Sequence, residues 1–356
     1  MKPMIDVQQR VQALLDRLVA EGAEYEVQAA AYLDGKLVVD AWAAPSGSII
    51  DGDTLFPIWS TTKGLSATAV LRLVERGTLA LDDSIARWWP EFAAAGKSGI
   101  TLRHALAHTA GLKAVPTRAR MAEICNWDAM CRDLAAQTPT TAPGAVQEYH
   151  AITYGWLIGE MCSRADGRDF ARIVDEEVCR PLAVPSPFWD GRTPVMTLAV
   201  PAPPATAGES NPAIPSWVCP LEELINRDDV KRACIPASNG VSSARSLAKH
   251  YGALVGAGVG GVRLLRPETV ANAVVREVPT DPTSAASASP RGLGYSLCGP
   301  AHDVSAAFGH GGFGGSLAMA DTRLNLGFGF TRRRMQGGPD TAGSILAEIR
   351  AALGAS

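Results

Sequence analysis

Ser60 and Lys63 stand three residues apart, where the hydrophobic pattern turns helical. Residues at this spacing share a helix face, so the hydroxyl and the amine can meet. A serine becomes a nucleophile when a base takes its proton, and a lysine can be that base if burial lowers its pKa. The helix N-terminus also favours an ionised oxygen. The pair predicts nucleophilic catalysis; the alternative is an ordinary N-cap beside an exposed lysine.

Further segments accompany Ser60-Thr61-Thr62-Lys63 along nearly the whole chain. They are residues 77–83, the stretch 101–112 ending in His108-Thr109-Ala110-Gly111-Leu112, Pro143-Gly144, Tyr149, residues 154–159, Pro181-Leu182 and Gly309-His310-Gly311-Gly312. In this order they resemble the motifs of the serine β-lactamase-like superfamily, which includes class C β-lactamases, DD-peptidases and the family VIII carboxylesterases. One match would be weak, but the ordered set is specific.

The resemblance implies that Tyr149 belongs to the second catalytic motif. A phenol whose pKa is lowered by a neighbouring ammonium can relay a proton between the serine and the leaving group. Without the resemblance, a buried tyrosine in a helical domain is the simpler interpretation. The family's lactamases carry Tyr-x-Asn, whereas this chain has Tyr149-His150-Ala151 and lacks that amide.

His310-Gly311-Gly312 takes the place of the Lys-Thr-Gly motif of penicillin-recognising enzymes. A histidine is only partly charged at neutral pH, and glycine supplies no hydroxyl. The resemblance implies that the amides of Ser60 and Phe313 form the oxyanion hole. It also implies that substrate contacts Trp59, His310, Gly311 and Gly312. The two departures from the lactamase motifs favour esterase chemistry.

Other motif-like patterns lack the context that their functions need. His104 and His108 have helical metal-ligand spacing, but no H-E-x-x-H glutamate accompanies them. Gly256, Gly258 and Gly261 fit G-x-G-x-x-G but follow a helical run, which favours a surface loop. Ser316 does not lie in a G-x-S-x-G elbow. We therefore expect no metal and no cofactor.

The elements that must position these residues change along the chain. An amphipathic helix is predicted over 7–22, followed by two β-type runs on either side of Asp34-Gly35. Residues 81–248 are mainly helical in pattern. β-type runs return after Gly294, and a helix over 340–353 follows them. The resemblance and this order predict an α+β fold of β-lactamase/DD-peptidase type, with an antiparallel sheet flanked by N- and C-terminal helices. Residues 1–80 and 240–356 would form the sheet domain and 81–239 a helical insertion. The proline-rich loop 190–220 is the candidate for the pocket that holds the acyl or alcohol part of the substrate.

Composition excludes several other classes of protein. The 356 residues include 33 Lys and Arg against 36 Asp and Glu, a net charge of −3, without the basic footprint of a nucleic-acid-binding protein. No apolar run approaches the roughly 20 residues of a membrane span, and residues 1–9 lack the apolar core of a secretory signal. The seven cysteines form no C-x-x-C pair or regular framework. A cytoplasmic setting is expected, whereas the oligomeric state is left open.

The sequence thus predicts a serine hydrolase of small-molecule esters, with Ser60, Lys63 and Tyr149 as catalytic residues. The same residues would also serve an amide-directed hydrolase (a β-lactamase, a D-amino-acid peptidase or another amidase) or an acyltransferase. A non-catalytic binding or scaffold protein with the same fold is the alternative of another class, against which the intact Ser60, Lys63 and Tyr149 speak.

Overall fold

The computed structural model describes residues 5–116, 123–199, 213–215, 218, 221–277, 290–335 and 340–353. Residues 200–212 of the proline-rich loop lie outside the described residues, as do the predictions for them.

Six antiparallel strands form one sheet in the order β2-β1-β8-β7-β6-β5. The strands are β1 (Val27–Leu33), β2 (Lys36–Ala43), β5 (Ser296–Leu297), β6 (Ala307–Gly311), β7 (Leu317–Asp321) and β8 (Leu326–Arg332). Asp34 and Gly35 both have positive φ, +46° and +75°, as the predicted two-residue hairpin turn requires. Strand β1 pairs with β8 from Val27↔Arg332 to Leu33↔Leu326, so the two ends of the chain join in one sheet.

Helices cover both faces of this sheet. On one face, helices α1 (Ile5–Ala20) and α13 (Thr341–Ala352) bury Val11 and Ile345 against Phe328 and Phe330 of β8. On the other face, helix α11 (Ala244–Gly252) packs directly on the alternate residues of β8, Gly327 and Gly329. This alternation is the strand period of two.

The remaining elements are mainly helical. They are the short pair β3 (Phe56–Pro57) and β4 (Val241–Ser242), and helices α2 (Thr62–Glu75), α3 (Ile85–Trp88), α4 (Leu102–Leu106), α5 (Trp127–Ala136), α6 (Thr153–Asp166), α7 (Phe170–Val174), α8 (Arg180–Leu182), α9 (Leu221–Asn226), α10 (Asp228–Arg232) and α12 (Pro267–Ala273). Among the described residues, 3₁₀ turns include Trp59–Thr61, Glu123–Cys125 and Val304–Ala306, and Pro90–Gly99 is 3₁₀ with a non-helical kink at residues 94–96. A π turn, Asp175–Cys179, joins α7 to α8.

Helix α2 is the central core helix. Residues 62–71 and Leu73 are all buried, because sheet and helices enclose it on every side. A helix in this setting needs no polar face, so buried polar side chains in its first turn must have specific partners. Within the described part of the chain, no helix is both long and apolar enough to cross a membrane.

Candidate active site

Ser60 lies in the 3₁₀ turn Trp59–Thr61, one turn before the α-helix proper. The helix-capping positions are Ile58 and Thr61, so the N-cap alternative for Ser60 is wrong. The segment that leads into this turn is held in place, because β3 pairs with β4 and the Ile58 N–H donates to the Gly240 carbonyl at 2.9 Å. Trp59 has a φ of +49°, a strained conformation for a side chain of this size. Strain of this kind is characteristic of functional sites.

Lys63 is completely buried, and its amine touches three oxygens. Nζ lies 2.7 Å from the Ala151 carbonyl, 2.8 Å from the Ala237 carbonyl and 3.2 Å from Ser60 Oγ. Burial lowers the pKa of Lys63 well below its usual range, and the positive charge of Arg291 lowers that pKa further. In its neutral form, which the lowered pKa favours, the amine has two hydrogens and one lone pair. The two carbonyls take the hydrogens, which leaves the lone pair to accept the Ser60 proton.

Tyr149 lies among charged and aromatic groups. Its ring centroid is 4.8 Å from Lys63 Nζ and 4.5 Å from Arg291 Cζ, and it stacks at 6.0 Å on the His310 ring. Burial raises the pKa of Tyr149, and a hydrogen bond with Ser60 and the charge of Arg291 offset that rise only in part. The sequence-based expectation of a lowered pKa is therefore wrong, because the effect of burial on the phenol outweighs that of the neighbouring positive charge. The phenol is a proton donor in the resting site.

Two buried histidines hold the backbone on either side of Tyr149. The His150 N–H donates to His108 Nδ1 at 3.1 Å, and the Leu112 N–H donates to His150 Nε2 at 3.0 Å. Burial lowers the pKa of His150 to about 4, so it stays neutral and can accept this bond. His104 instead caps α4 by accepting the Thr101 N–H. Among the described residues, no cluster of His, Cys, Asp and Glu side chains could hold a metal ion.

His310 is also buried and neutral. Its Nδ1 lies 2.7 Å from the Gly311 carbonyl, which can only accept, so Nδ1 carries the hydrogen and Nε2 is an acceptor. Nε2 has no partner in the described part of the chain. Burial lowers the pKa of His310 well below its usual range, and Lys63 and Arg291 act in the same direction. His310 therefore brings no positive charge to the third motif.

The turn between β6 and β7 is tied to the nucleophile turn. Ser316 Oγ donates to the Ile58 carbonyl at 2.8 Å and lies 3.1 Å from Thr61 Oγ1. A Cβ at Gly312 would lie 2.3 Å from the Ile58 carbonyl, so only glycine fits this approach. The Gly312 N–H donates to the Ser316 carbonyl, whereas the Phe313 N–H has no acceptor among the residues that the structure describes. Ser316, which is no nucleophile, thus fixes the segment that carries a free amide.

A cavity of about 360 Å³ brings the predicted residues together. Trp59, Ser60, Tyr149, His310, Gly311, Gly312 and Phe313 all line it, and Lys63 lies behind Ser60 and Tyr149. Much of the apolar lining comes from residues that the sequence did not single out: Ile124, Leu221, Leu224, Ile225, Val230 and Ile235. Of the proline-rich loop, Ile214 is the lining residue that falls within the described part.

Arg291 is the charged residue that sequence reasoning missed. It lines the cavity beside Ser296 and contacts the Tyr149 ring. It directly precedes Gly292-Leu293-Gly294 and has no neighbour in the sequence with an evident chemical role. No local pattern could have identified it, because its significance lies in the cavity and not in its spacing.

Comparison with known proteins gives a consistent result. A family model described as Beta-lactamase matches residues 11–352. The chain is 30% identical over 338 residues to the esterase/beta-lactamase LipL of Mycobacterium tuberculosis, covering 86% of this chain and 76% of that protein. A solved family VIII carboxylesterase superposes with a TM-score of 0.84 at 28% identity over 98% of both chains. A penicillin-binding protein homolog from Caulobacter crescentus gives 0.86 at 30% identity, also over 98% of both. The predicted fold is confirmed.

Proposed function

This chain belongs to the beta-lactamase family, and from that premise we propose that it is a serine hydrolase that cleaves carboxylic esters through an acyl-enzyme on Ser60. The observation that carries the proposal is the environment of Lys63. Two backbone carbonyls take its hydrogens, and its third neighbour is Ser60 Oγ at 3.2 Å. A buried amine whose pKa is lowered well below its usual range can act in that position as a general base for the hydroxyl.

The proposed reaction begins when Ser60 Oγ attacks the ester carbonyl and Lys63 accepts the hydroxyl proton. The amides of Ser60 and Phe313 would stabilise the oxyanion, an effect worth about 3–4 kcal/mol per donor in acyl transfer. Tyr149 gives its proton to the departing alkoxide and recovers one from Lys63. Water then attacks the acyl carbon, and Lys63 and Tyr149 take its proton and return it to Ser60 Oγ as the bond from Oγ to the acyl carbon breaks and the acid leaves. No step requires a metal or an organic cofactor.

Three observations favour esters over amides as substrates. Ala151 stands where the lactamase motif has an asparagine, and His310 stands in place of the lysine of the third motif. One wall of the cavity is apolar and suits the hydrocarbon part of an ester. Two of the proteins that this chain resembles are described as an esterase/beta-lactamase and a family VIII carboxylesterase. Amide hydrolysis and acyl transfer are the alternative activities for the same residues.

The boundaries of the sheet domain and the helical insertion remain predictions, and so does the cytoplasmic location.

A fluorophosphonate probe, which reacts with activated serines, tests the proposal. Wild-type protein should be labelled at Ser60, as located by mass spectrometry, and should hydrolyse 4-nitrophenyl butanoate with a burst of 4-nitrophenol. Ser60→Ala should abolish labelling and burst with almost no change in melting temperature, whereas Ser98→Ala, at an exposed serine, should retain both.

Two results would contradict the ester assignment. Failure of the wild-type protein to react with the probe would favour a binding or scaffold protein. Nitrocefin turnover comparable to that of the nitrophenyl ester would favour a lactamase.

A further inference from the structure

The cavity carries one positive charge and no negative charge among its described lining residues. Arg291 is the charged member of that lining, and the other polar members are hydroxyl, amide, phenol and imidazole groups. The pKa of His310 is well below its usual range, so this imidazole is neutral, and Lys63 lies behind the nucleophile and does not line the cavity. The net charge that a substrate meets in this part of the cavity therefore comes from one guanidinium.

The backbone holds Arg291 in a fixed position. It pairs with Ser296 across a tight turn, and its Nη1 donates to Ser296 Oγ at 2.9 Å. A Cβ at Gly292 would lie 2.0 Å from the Ala273 carbonyl, and one at Gly294 would lie 2.4 Å from Ala67 Cβ of helix α2. The turn is thus packed against the nucleophile helix, and the guanidinium rests on the Tyr149 ring.

Within the described part of the chain, this guanidinium has no carboxylate partner. Among the described residues, Arg291 donates one hydrogen bond, from Nη1 to Ser296 Oγ, and its remaining N–H groups have no acceptor. A guanidinium has five N–H donors in a planar fork that matches a carboxylate. A largely buried charge without a partner is costly, so natural sites supply the opposite charge from the protein or from the ligand.

We propose that Arg291 forms a carboxylate-binding subsite, and that the substrate is an ester bearing a second, ionised carboxylate. The inference rests on the proposed ester hydrolysis. Two substrate classes have this chemistry: half-esters of dicarboxylic acids, with the carboxylate on the acyl side, and acylated hydroxy acids, with the carboxylate on the alcohol side. The apolar wall from α9 and α10 would take the hydrocarbon chain that separates the two groups.

Two matched pairs of esters test the proposal. The 4-nitrophenyl half-ester of glutaric acid is compared with 4-nitrophenyl pentanoate, and 3-(butanoyloxy)benzoate is compared with phenyl butanoate. In one pair, wild-type kcat/KM should favour the carboxylated ester by roughly 10- to 100-fold, the range of a charge-assisted hydrogen-bonded pair. The pair that shows the preference identifies the side of the ester bond on which the carboxylate lies.

Variants then assign the preference to Arg291. The preference is the kcat/KM of the carboxylated ester divided by that of the neutral ester of the same pair. Arg291→Met should bring this ratio close to one by raising KM for the carboxylated ester, and Arg291→Lys should retain part of the preference. Arg87→Met, at an exposed arginine that pairs with Asp83, should leave the ratio unchanged. If Arg291→Met does not fold, inhibition of the wild-type enzyme decides: benzoate should compete with 4-nitrophenyl pentanoate more strongly than benzamide does.

The inference is wrong if wild-type enzyme hydrolyses the neutral esters but prefers the carboxylated ester in neither pair. It is also wrong if Arg291→Met leaves the ratio intact, or if benzoate and benzamide inhibit equally. Each of these results leaves ester hydrolysis at Ser60 standing. Absence of Ser60-dependent turnover of every ester, in contrast, removes the proposed function itself.

Discussion

At the residue scale, the chemistry depends on how each polar side chain of the site is enclosed. Lys63, His108 and His310 are all buried, and burial lowers the pKa of each well below its usual range. Arg291 adds to each of these shifts. The site thus contains one guanidinium and several bases whose pKa values are lowered, although its composition suggests a strongly basic centre.

The pH dependence of activity should report the influence of Arg291 on Lys63. Lys63 acts as a base only when neutral, so its pKa sets the acidic limb of the kcat/KM profile. Arg291 lowers that pKa. Arg291→Met should therefore move the acidic limb for a neutral ester to higher pH, while Arg87→Met should not move it. A limb that stayed in place or moved to lower pH would show that Lys63 is not the titrating base.

Tyr149→Phe should distinguish between leaving groups. The pKa of Tyr149 is raised, so the phenol is protonated and can donate to a departing alkoxide. Its removal should lower kcat/KM, which reports the acylation step, by roughly 10²–10⁴-fold for alkyl butanoates, the usual contribution of a general acid, and should lower kcat/KM for 4-nitrophenyl butanoate far less. The reason is that nitrophenolate leaves without protonation. Equal losses for the two esters, measured as initial rates, would exclude the donor role.

At the scale of elements, two glycines of β8 decide how closely helix α11 approaches the sheet. A Cβ at Gly329 would lie 2.2 Å from the Ala244 carbonyl, and one at Gly327 would lie 2.1 Å from the Gly252 nitrogen. The helix backbone therefore rests directly on the strand backbone. Because α11 follows β4, whose partner β3 precedes the nucleophile turn, this contact also influences the position of Ser60.

Gly329→Ala should therefore destabilise the fold. The added methyl group must displace helix backbone, and overpacking of a core contact typically costs about 1–3 kcal/mol. The free energy of unfolding in urea measures this loss. Gly99→Ala is the matched control, since its Cβ would meet no atom within 4 Å and should change stability little. A Gly329→Ala protein as stable as the control would show that α11 can move away from the sheet without loss.

At the scale of the whole molecule, a buried ion pair connects both ends of the chain with the active-site turn. Arg332 Nη1 donates to Glu24 Oε1 at 2.9 Å, and its Nε donates to the Gly314 carbonyl at 2.8 Å, next to Phe313. Thr341 Oγ1 at the start of α13 also donates to Glu24 Oε1. The contact joins the segment before β1, the end of β8, the last helix and the proposed oxyanion turn.

Glu24→Gln should lower the free energy of unfolding by roughly 3–5 kcal/mol, because it leaves the Arg332 charge buried without a partner. Glu348→Gln, which breaks the exposed pair between Glu348 and Arg10, should cost less than about 1 kcal/mol. Urea denaturation followed by circular dichroism compares the two. Similar small losses would mean that water or another group compensates Arg332.

The sequence by itself determined the features that depend on neighbouring residues. Asp34-Gly35 specifies a hairpin turn, and spacing brings the side chains of Ser60 and Lys63 together. The α+β fold and the position of Tyr149 followed from ordered motifs that span the chain. The division into a sheet domain and a helical insertion remains a prediction.

Only the tertiary structure decided the charges and walls of the site. The pKa values of Lys63 and Tyr149 depend on how many atoms enclose them, which no local pattern encodes. Arg291 and Leu221 are far from Ser60 in the sequence but line the same cavity. Ser316 has no catalytic motif around it, yet it connects two turns through hydrogen bonds at a separation of more than 250 residues. The physical reason is that burial and long-range contact arise from packing, and packing is set by the whole chain.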